Sequence, residues 1–261
     1  MRVLIACEYS GTVRRAFAAK GHSVMSCDLL PADDRSPDHY QGDVLDILHD
    51  NWDLMIAHPP CTYLSVSGMH WTTRGLRDPQ LTEDALEFVN TLLTAPIPKI
   101  ALENPISVIS TRIRKPDQII QPWMFGDDAS KKTCLWLKGL PRLVPHLDKI
   151  IPPKGWQKIV WAYDLPDCPD CGEPFCQDHH KHYDECDCIG PTEDEVTIKT
   201  IDGIDFGTRL DPAPKPVWAN QTPSGQNKLG PSDDRWKIRS ETYNGIAAAM
   251  AEQWGTVSLK N

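Results

Sequence analysis

Four short apolar runs, each leading into a polar or reactive residue, constrain this chain more than any other feature. Residues 2–7 (RVLIAC) lead to Ser10 and Gly11, and residues 23–27 end on Asp28. Residues 53–57 run into His58-Pro59-Pro60-Cys61, and residues 99–102 end on Glu103-Asn104-Pro105. Helical stretches lie between them: Thr12 to Lys20, closed by Gly21, and residues 79–95. The second starts at Pro79 and carries Leu81, Ala85, Leu86, Val89 and Leu92 on one stripe. Apolar runs of this length alternating with helices read as buried strands of a mostly parallel, doubly wound sheet. Such a sheet binds its ligands outside the carboxyl ends of its strands. Ser10, Asp28, Cys61 and Glu103 are all predicted at those ends.

From about 164 to 233 the periodicity weakens, and cysteine, proline, glycine and acidic residues dominate. An irregular insertion is predicted there. The segment TYNGIAAAMAEQW then returns to helical spacing and is expected to dock back on the sheet. The resulting division is a catalytic domain over 1–145, a small insertion over 146–220 and a returning segment over 221–261. The chain has 261 residues and a net charge of -9, unevenly spread. Residues 1–98 sum to -6, 99–163 to +6, 164–211 to -11 and 212–261 to +2. Phosphate binding requires a basic surface, so composition does not argue for a nucleic-acid partner, although the basic middle permits one. No apolar run approaches the roughly 20 residues needed to cross a bilayer, and the N-terminus is too short a run for a signal peptide. No membrane association is expected, and a cytoplasmic location in which the nine cysteines are thiols or metal ligands is.

The glycine turn at Ser10-Gly11 has one glycine where the dinucleotide fingerprint has three, which counts against a nicotinamide cofactor. Asp28 can accept hydrogen bonds from a ribose diol or serve as a turn residue, and Asp43 has the same two readings. Pro59 and Pro60 stiffen the backbone and remove two N–H donors, fixing the direction of the Cys61 thiol at a sheet edge. A core cysteine has no need of that arrangement, so Cys61 reads as a nucleophile. Glu103 reads as an acid, with burial at a strand end expected to raise its pKa, or as a helix-capping or salt-bridged glutamate. A thiol that adds to carbon 6 of a pyrimidine and an acid that protonates ring nitrogen 3 together make carbon 5 nucleophilic.

At these residues the chain resembles the DNA cytosine-5 methyltransferase family, particularly its small phage-type members. The matching pieces are Tyr9-Ser10-Gly11, Asp28, Gly42-Asp43-Val44, Pro59-Pro60-Cys61, Glu103-Asn104-Pro105 and Tyr243-Asn244-Gly245-Ile246-Ala247. They span roughly residues 1–145 and 221–254. The resemblance implies a Rossmann-like class I methyltransferase sheet, S-adenosylmethionine as methyl donor and double-stranded DNA as substrate. It also implies Cys61 as nucleophile and Glu103 as the acid on the base. Tyr9, Ser10, Gly11, Asp28, Asp43 and Asn244 would lie around the donor. A monomer is expected. The chain departs from the family at Pro105, where valine is usual, and at Thr12-Val13, where a further glycine is usual. The family's Gln-x-Arg-x-Arg motif has no close counterpart: Arg112 and Arg114 have the Arg-x-Arg spacing, while Lys131-Lys132-Thr133 lies further along. Arg112, Arg114, Lys132, Arg235 and Lys237 are the candidate DNA contacts. A solvated charged loop is the alternative for the last two. Six tryptophans, at 123, 136, 156, 161, 218 and 236, could stack on bases, though core packing is the favoured role for most.

The insertion holds Cys168-x-x-Cys171, Cys176, His179, His180, His182 and Cys186-x-Cys188. A structural zinc site that orders a loop lacking its own core fits this spacing. Cys168, Cys171, Cys186 and Cys188 are the favoured ligands, with Cys176 and the histidines as alternatives or a second site. Two other functions compete with DNA methylation: a pyrimidine-modifying enzyme acting on RNA or nucleotides, and a catalytically inactive zinc-containing DNA-binding protein. An intact Cys61 and Glu103 count against the last.

Overall fold

The computed structural model describes residues 1–159, 175–176, 181–182, 196–232 and 235–256, with the backbone alone for 175–176, 181–182 and 236. They divide into two compact units. The first comprises Met1–Pro122, Lys131–Val144 and the stretch from Ser232; the second comprises Trp123–Ser130 and Pro145–Pro231. The segments read from the sequence are contiguous, whereas these units are not: residues 123–130 leave the first unit, and 221–231 fall in the second.

The first unit is built on β1 (Arg2–Ala6), β2 (Ser23–Asp28), β3 (His39–Gln41), β4 (Leu54–Ala57), β5 (Lys99–Pro105), β6 (Gln118–Ile120) and β7 (Thr133–Lys138). The strand order is β3-β2-β1-β4-β5-β7-β6. The first five strands are parallel, and β7 runs antiparallel to both β5 and β6. This is the mostly parallel sheet that the alternation predicts. The strands at its centre are covered on both faces, which is why β4 is buried throughout and its sequence shows no alternation.

Helix α3 (Gln80–Thr94) covers one face. It buries Leu86, Val89 and Leu92 with Leu4, Ala6, Met55, Ala57, Ile100 and Leu102. Strand alternation directs Val3, Ile5, Leu54 and Ile56 to the other face. There α1 (Thr12–Ala18) packs on β1 and β2 and against α6 (Asn244–Trp254), which buries Ile246, Met250 and Trp254. Gly11 at the start of α1 has φ 70, a left-handed conformation that favours glycine. It has no side chain with which to cap the helix. Glu8 performs that task, its carboxylate accepting from the amides of Val13 at 2.6 Å and Arg14 at 3.2 Å. The remaining helices of this unit are α2 (Val66–Thr73), α4 (Ile109–Arg112) and α5 (Arg235–Ser240).

One difference from the sequence reading has a tertiary cause. Strand β5 extends past Leu102 because β7 pairs with Glu103, Asn104 and Pro105. Trp136 on β7 is fully buried in the core. In the second unit, β8 (Gln157–Lys158) pairs with β12 (Ile204–Thr208), and β12 pairs with β11 (Thr197–Ile201). The short strands β9 (Phe175–Cys176) and β10 (Lys181–His182) form a separate antiparallel pair. Trp123 stacks on Trp218 at 5.4 Å and meets the edge of Phe206, and Trp156 is also buried, so these rings build a core. Cys168, Cys171, Cys186, Cys188, His179, His180 and Trp161 lie outside the described residues. Among the described residues, no cluster of histidine, cysteine and carboxylate side chains is arranged to hold a metal ion, and no helix is long and apolar enough to cross a membrane.

Candidate active site

Strand register fixes the centre of the site. Ala57 on β4 is paired with Leu102 on β5, so the next residues, His58 and Glu103, emerge side by side on the same face. His58 Nδ1 lies 3.0 Å from Glu103 Oε2, and both side chains are almost fully buried. The Thr242 hydroxyl, just before α6, donates to the same carboxylate oxygen at 3.3 Å. Lys131, before β7, contributes a nearby positive charge. Its ammonium donates to the Glu241 carbonyl at 3.3 Å and stands 5.9 Å over the Tyr243 ring.

This environment corrects the expectation that Glu103 has a raised pKa. Burial pushes the carboxyl up, but the His58 hydrogen bond and charge, the Lys131 charge and the Thr242 hydroxyl outweigh it and hold the group below the usual glutamate range. For His58, burial works against the imidazolium. The hydrogen bond and charge of Glu103 and the charge of Glu8 more than offset burial, and Lys131 opposes them, leaving the group above the ordinary histidine value. Both shifts favour the carboxylate–imidazolium form of the pair. The other ring nitrogen of His58, Nε2, is buried and has no hydrogen-bond partner among the described residues.

Asn104 points the opposite way from Glu103, as strand alternation requires. Its Nδ2 donates a buried 2.9 Å hydrogen bond to the Pro59 carbonyl. The Cys61 carbonyl accepts from the amides of Leu64 at 3.1 Å and Ser65 at 2.9 Å, closing a turn into α2. Arg77 donates to the Thr62 carbonyl at 2.9 Å, and a Cβ on Gly68 would overlap that same carbonyl. Ser65 forms a bridge with Ser107, joining the loops that follow β4 and β5. The Pro59–Ser65 segment is thus fastened at several points, and Cys61 is left half-buried at its apex with a free thiol.

A cavity of about 350 Å³ opens beside this loop. Its lining includes Asp28, Leu29, Asp43, Pro60, Asp84 and Phe88. Pro60 immediately precedes Cys61, so the cavity wall and the thiol share one loop. Asp28 spends one oxygen on the Leu30 amide at 2.9 Å, and Asp43 spends one on the Leu45 amide at 3.0 Å. Burial raises the Asp28 carboxyl, opposed by the Leu30 and Leu29 amides and by His39. Three carboxylates and apolar walls suit a cationic ligand with a flat ring and a hydroxyl pair, and would repel a pyrophosphate. Asp28 and Asp43 are the expected donor-binding residues that line this cavity. Tyr9, Ser10, Gly11 and Asn244 are not among its lining residues. The Tyr9 hydroxyl contacts the Lys237 carbonyl and Ser240 Oγ instead, Ser10 sits in the turn before α1, and Asn244 is the exposed first residue of α6.

The candidate DNA contacts are distributed. Arg112 meets Glu83 at 2.8 Å, and Arg114 meets Asp117 at 2.7 Å and the Leu137 carbonyl at 3.0 Å, so both hold neighbouring segments of their own unit. Arg235 opens α5. Lys237, on the same helix, lies 3.9 Å from Asp33 and 5.6 Å over the Tyr9 ring. Of the Lys131-Lys132 pair, Lys131 is the one whose charge acts on Glu103 and His58. Sequence reasoning missed His58, Glu8, Thr242, Asp84 and Phe88, and raised Lys131 only as part of Lys131-Lys132-Thr133, against the basic motif. For His58 alone a signal existed, a histidine immediately before Pro-Pro-Cys.

No protein-family model matches the chain, and no curated protein matches it. Among solved structures, a candidate DNA modification methyltransferase encoded within an E. coli prophage superposes at TM-score 0.38 and 15% identity, over 56% of this chain and 51% of that one. A structure of WbdD with the kinase inhibitor LY294002 gives TM-score 0.32 and 15% identity, over 60% of this chain and 39% of that one. The chain thus spans about half, or less, of the length of these proteins. Likeness at this level is silent on activity, and the reading of the site rests on its own geometry.

Proposed function

We propose that the chain is an S-adenosylmethionine-dependent methyltransferase acting on carbon 5 of cytosine in DNA, with Cys61 as nucleophile and Glu103 as acid. One observation carries the reading: the Pro59-Pro60-Cys61 loop lines an acidic cavity through Pro60 and is bonded through the Pro59 carbonyl to Asn104, the neighbour of the buried Glu103 on β5. Asp28 and Asp43 would hold the ribose hydroxyls, and the carboxylates of the cavity complement a sulfonium cation. When bound, the donor supplies an electrophilic methyl group. The protein's part is to make carbon 5 able to accept it. The Cys61 sulfur bonds to carbon 6 while a proton passes to ring nitrogen 3, and electron density moves to carbon 5. Once carbon 5 carries the methyl group, water accepts the carbon 5 proton, the sulfur–carbon bond breaks to release the Cys61 sulfur, and the nitrogen 3 proton returns. A base inside a duplex cannot reach a thiol at a sheet edge, so the target cytosine must be turned out of the stack.

The test is incubation with labelled donor and mixed-sequence duplex DNA, followed by nucleoside mass spectrometry. Duplex DNA carrying 5-fluorocytosine should trap the wild type covalently, because fluorine replaces the proton whose loss frees the enzyme. Cys61→Ser should form no adduct while still binding donor. No trapping with donor present and DNA binding intact would refute the mechanism. The net charge of -9 and the internal pairing of Arg112 and Arg114 favour a second reading, an RNA or nucleotide pyrimidine substrate. The same assay with single-stranded RNA and cytidine nucleotides distinguishes the two.

A further inference from the structure

We propose that His58 is a positioning residue that stores, at rest, the proton Glu103 must deliver to the pyrimidine ring. This inference rests on the function proposed above and deepens it. A carboxyl that is ionised at rest cannot by itself protonate ring nitrogen 3, and Glu103 is held in its ionised form. His58 Nδ1, the atom that would hold the missing proton, lies 3.0 Å from Glu103 Oε2.

The surroundings suit this task. His58 faces Glu103 from β5 and feels the Glu8 carboxylate beyond β1, while the Lys131 charge opposes both. Glu8 is itself tied to the amides of Val13 and Arg14 at the start of α1, and Thr242 contacts Glu103 from the other side. His58 and Thr242 both contact Oε2 of Glu103, so no described contact occupies Oε1. Nε2 of His58 is buried and unpartnered, so the histidine is directed to Glu103 through a single nitrogen.

The proton balance closes. One proton moves from Nδ1 to Glu103, converting an imidazolium–carboxylate pair into a neutral imidazole and a neutral acid. The acid turns about its terminal bond and passes that proton to ring nitrogen 3 as the Cys61 sulfur bonds to carbon 6. When that bond breaks, the proton returns along the same route. Beyond the methyl donor, the one net change is release of the carbon 5 proton to solvent.

The sign of the pH effect follows. The wild-type pair keeps its proton below the raised pKa of His58 and loses it as pH rises through that value, so transfer should persist across neutrality. Without the histidine, Glu103 must take its proton from solvent, and transfer should fail at lower pH. His58→Gln, which retains an amide donor but stores no proton, should lose methyl transfer by on the order of 10²-fold at pH 8 and recover most of it near pH 6. Histidine nitrogen NMR tests the pair without reference to activity. His58 in the full-length wild type should keep both ring protons above its ordinary titration range, and Glu103→Gln should move that titration down.

A His58→Gln profile parallel to the wild type would overturn the proposal and leave the methyltransferase reading standing, as would a neutral His58 at pH 7. A wild type that transfers no methyl group at any pH would overturn both. Should His58→Gln fail to fold, His58→Asn carries the same profile test, and the NMR comparison needs neither variant.

Discussion

Asn104→Ala isolates how the strand β5 sets the position of the nucleophile. The residue is 2% exposed, and among the described residues its one side-chain hydrogen bond goes to the Pro59 carbonyl two residues before Cys61. Truncation leaves that carbonyl buried without a donor, at a cost of about 1–3 kcal/mol. For a chain of this size each kcal/mol lowers Tm by roughly 2–4 °C, so a fall of about 2–12 °C is expected. The Pro59–Ser65 segment keeps its contacts at Arg77, Leu64 and Ser65, so the loop should loosen at its entry and not unfold. A displacement of about 1 Å at a reacting atom is worth on the order of 10²-fold in rate. Urea unfolding measures the first quantity, and 5-fluorocytosine trapping the second. Alkylation of Cys61 by iodoacetamide, which should quicken, gives a readout independent of the proposed reaction. An unchanged unfolding midpoint together with unchanged alkylation would show that this hydrogen bond does not hold the loop.

Gly68→Ala should destabilise although alanine is the better helix former by about 1 kcal/mol, because the new methyl group meets the fixed Thr62 carbonyl. A more stable protein with unaltered trapping would refute that. Asp28→Ala should raise the apparent constant for S-adenosylmethionine far more than that for DNA, as titrations of each ligand would show; equal effects would reduce Asp28 to a fold-supporting residue. Among Cys7, Cys27, Cys61 and Cys134, brief alkylation near neutral pH should modify Cys61 first. Burial pushes the other three thiols up, Cys27 to about 12, so almost none of their thiolate is present. Peptide mass mapping reads the order, and prior labelling of Cys27 would contradict it.

Much of this architecture is written locally. The apolar runs at 2–7, 23–27, 53–57 and 99–102 have to become buried strands, because each is too short for a packed helix and is bounded by turn residues. Gly11 declares a left-handed turn, and the stripe of α3 declares the face that it buries. Asp28 and Cys61 were legible as residues at or just past strand ends because a parallel sheet gathers those ends at one edge, whereas Glu103 lies within β5, which its pairing with β7 extends to Pro105. The chemistry of Glu103 was not legible. Taken alone, burial argues for a raised pKa, and only the pairing of Ala57 with Leu102 brings His58 to its side and reverses the sign. Thr242, 139 positions from Glu103, arrives with the return of α6 to the sheet, a contact that no local pattern encodes. The same holds for Arg112 and Arg114, whose spacing is local but whose partners, Glu83 and Asp117, are set by how the loops after β5 pack. Sequence determined which groups stand at the sheet edge, since strand length and alternation are short-range properties. Their protonation and their partners depend on fields and hydrogen bonds between segments distant in the chain, and only the tertiary structure sets those.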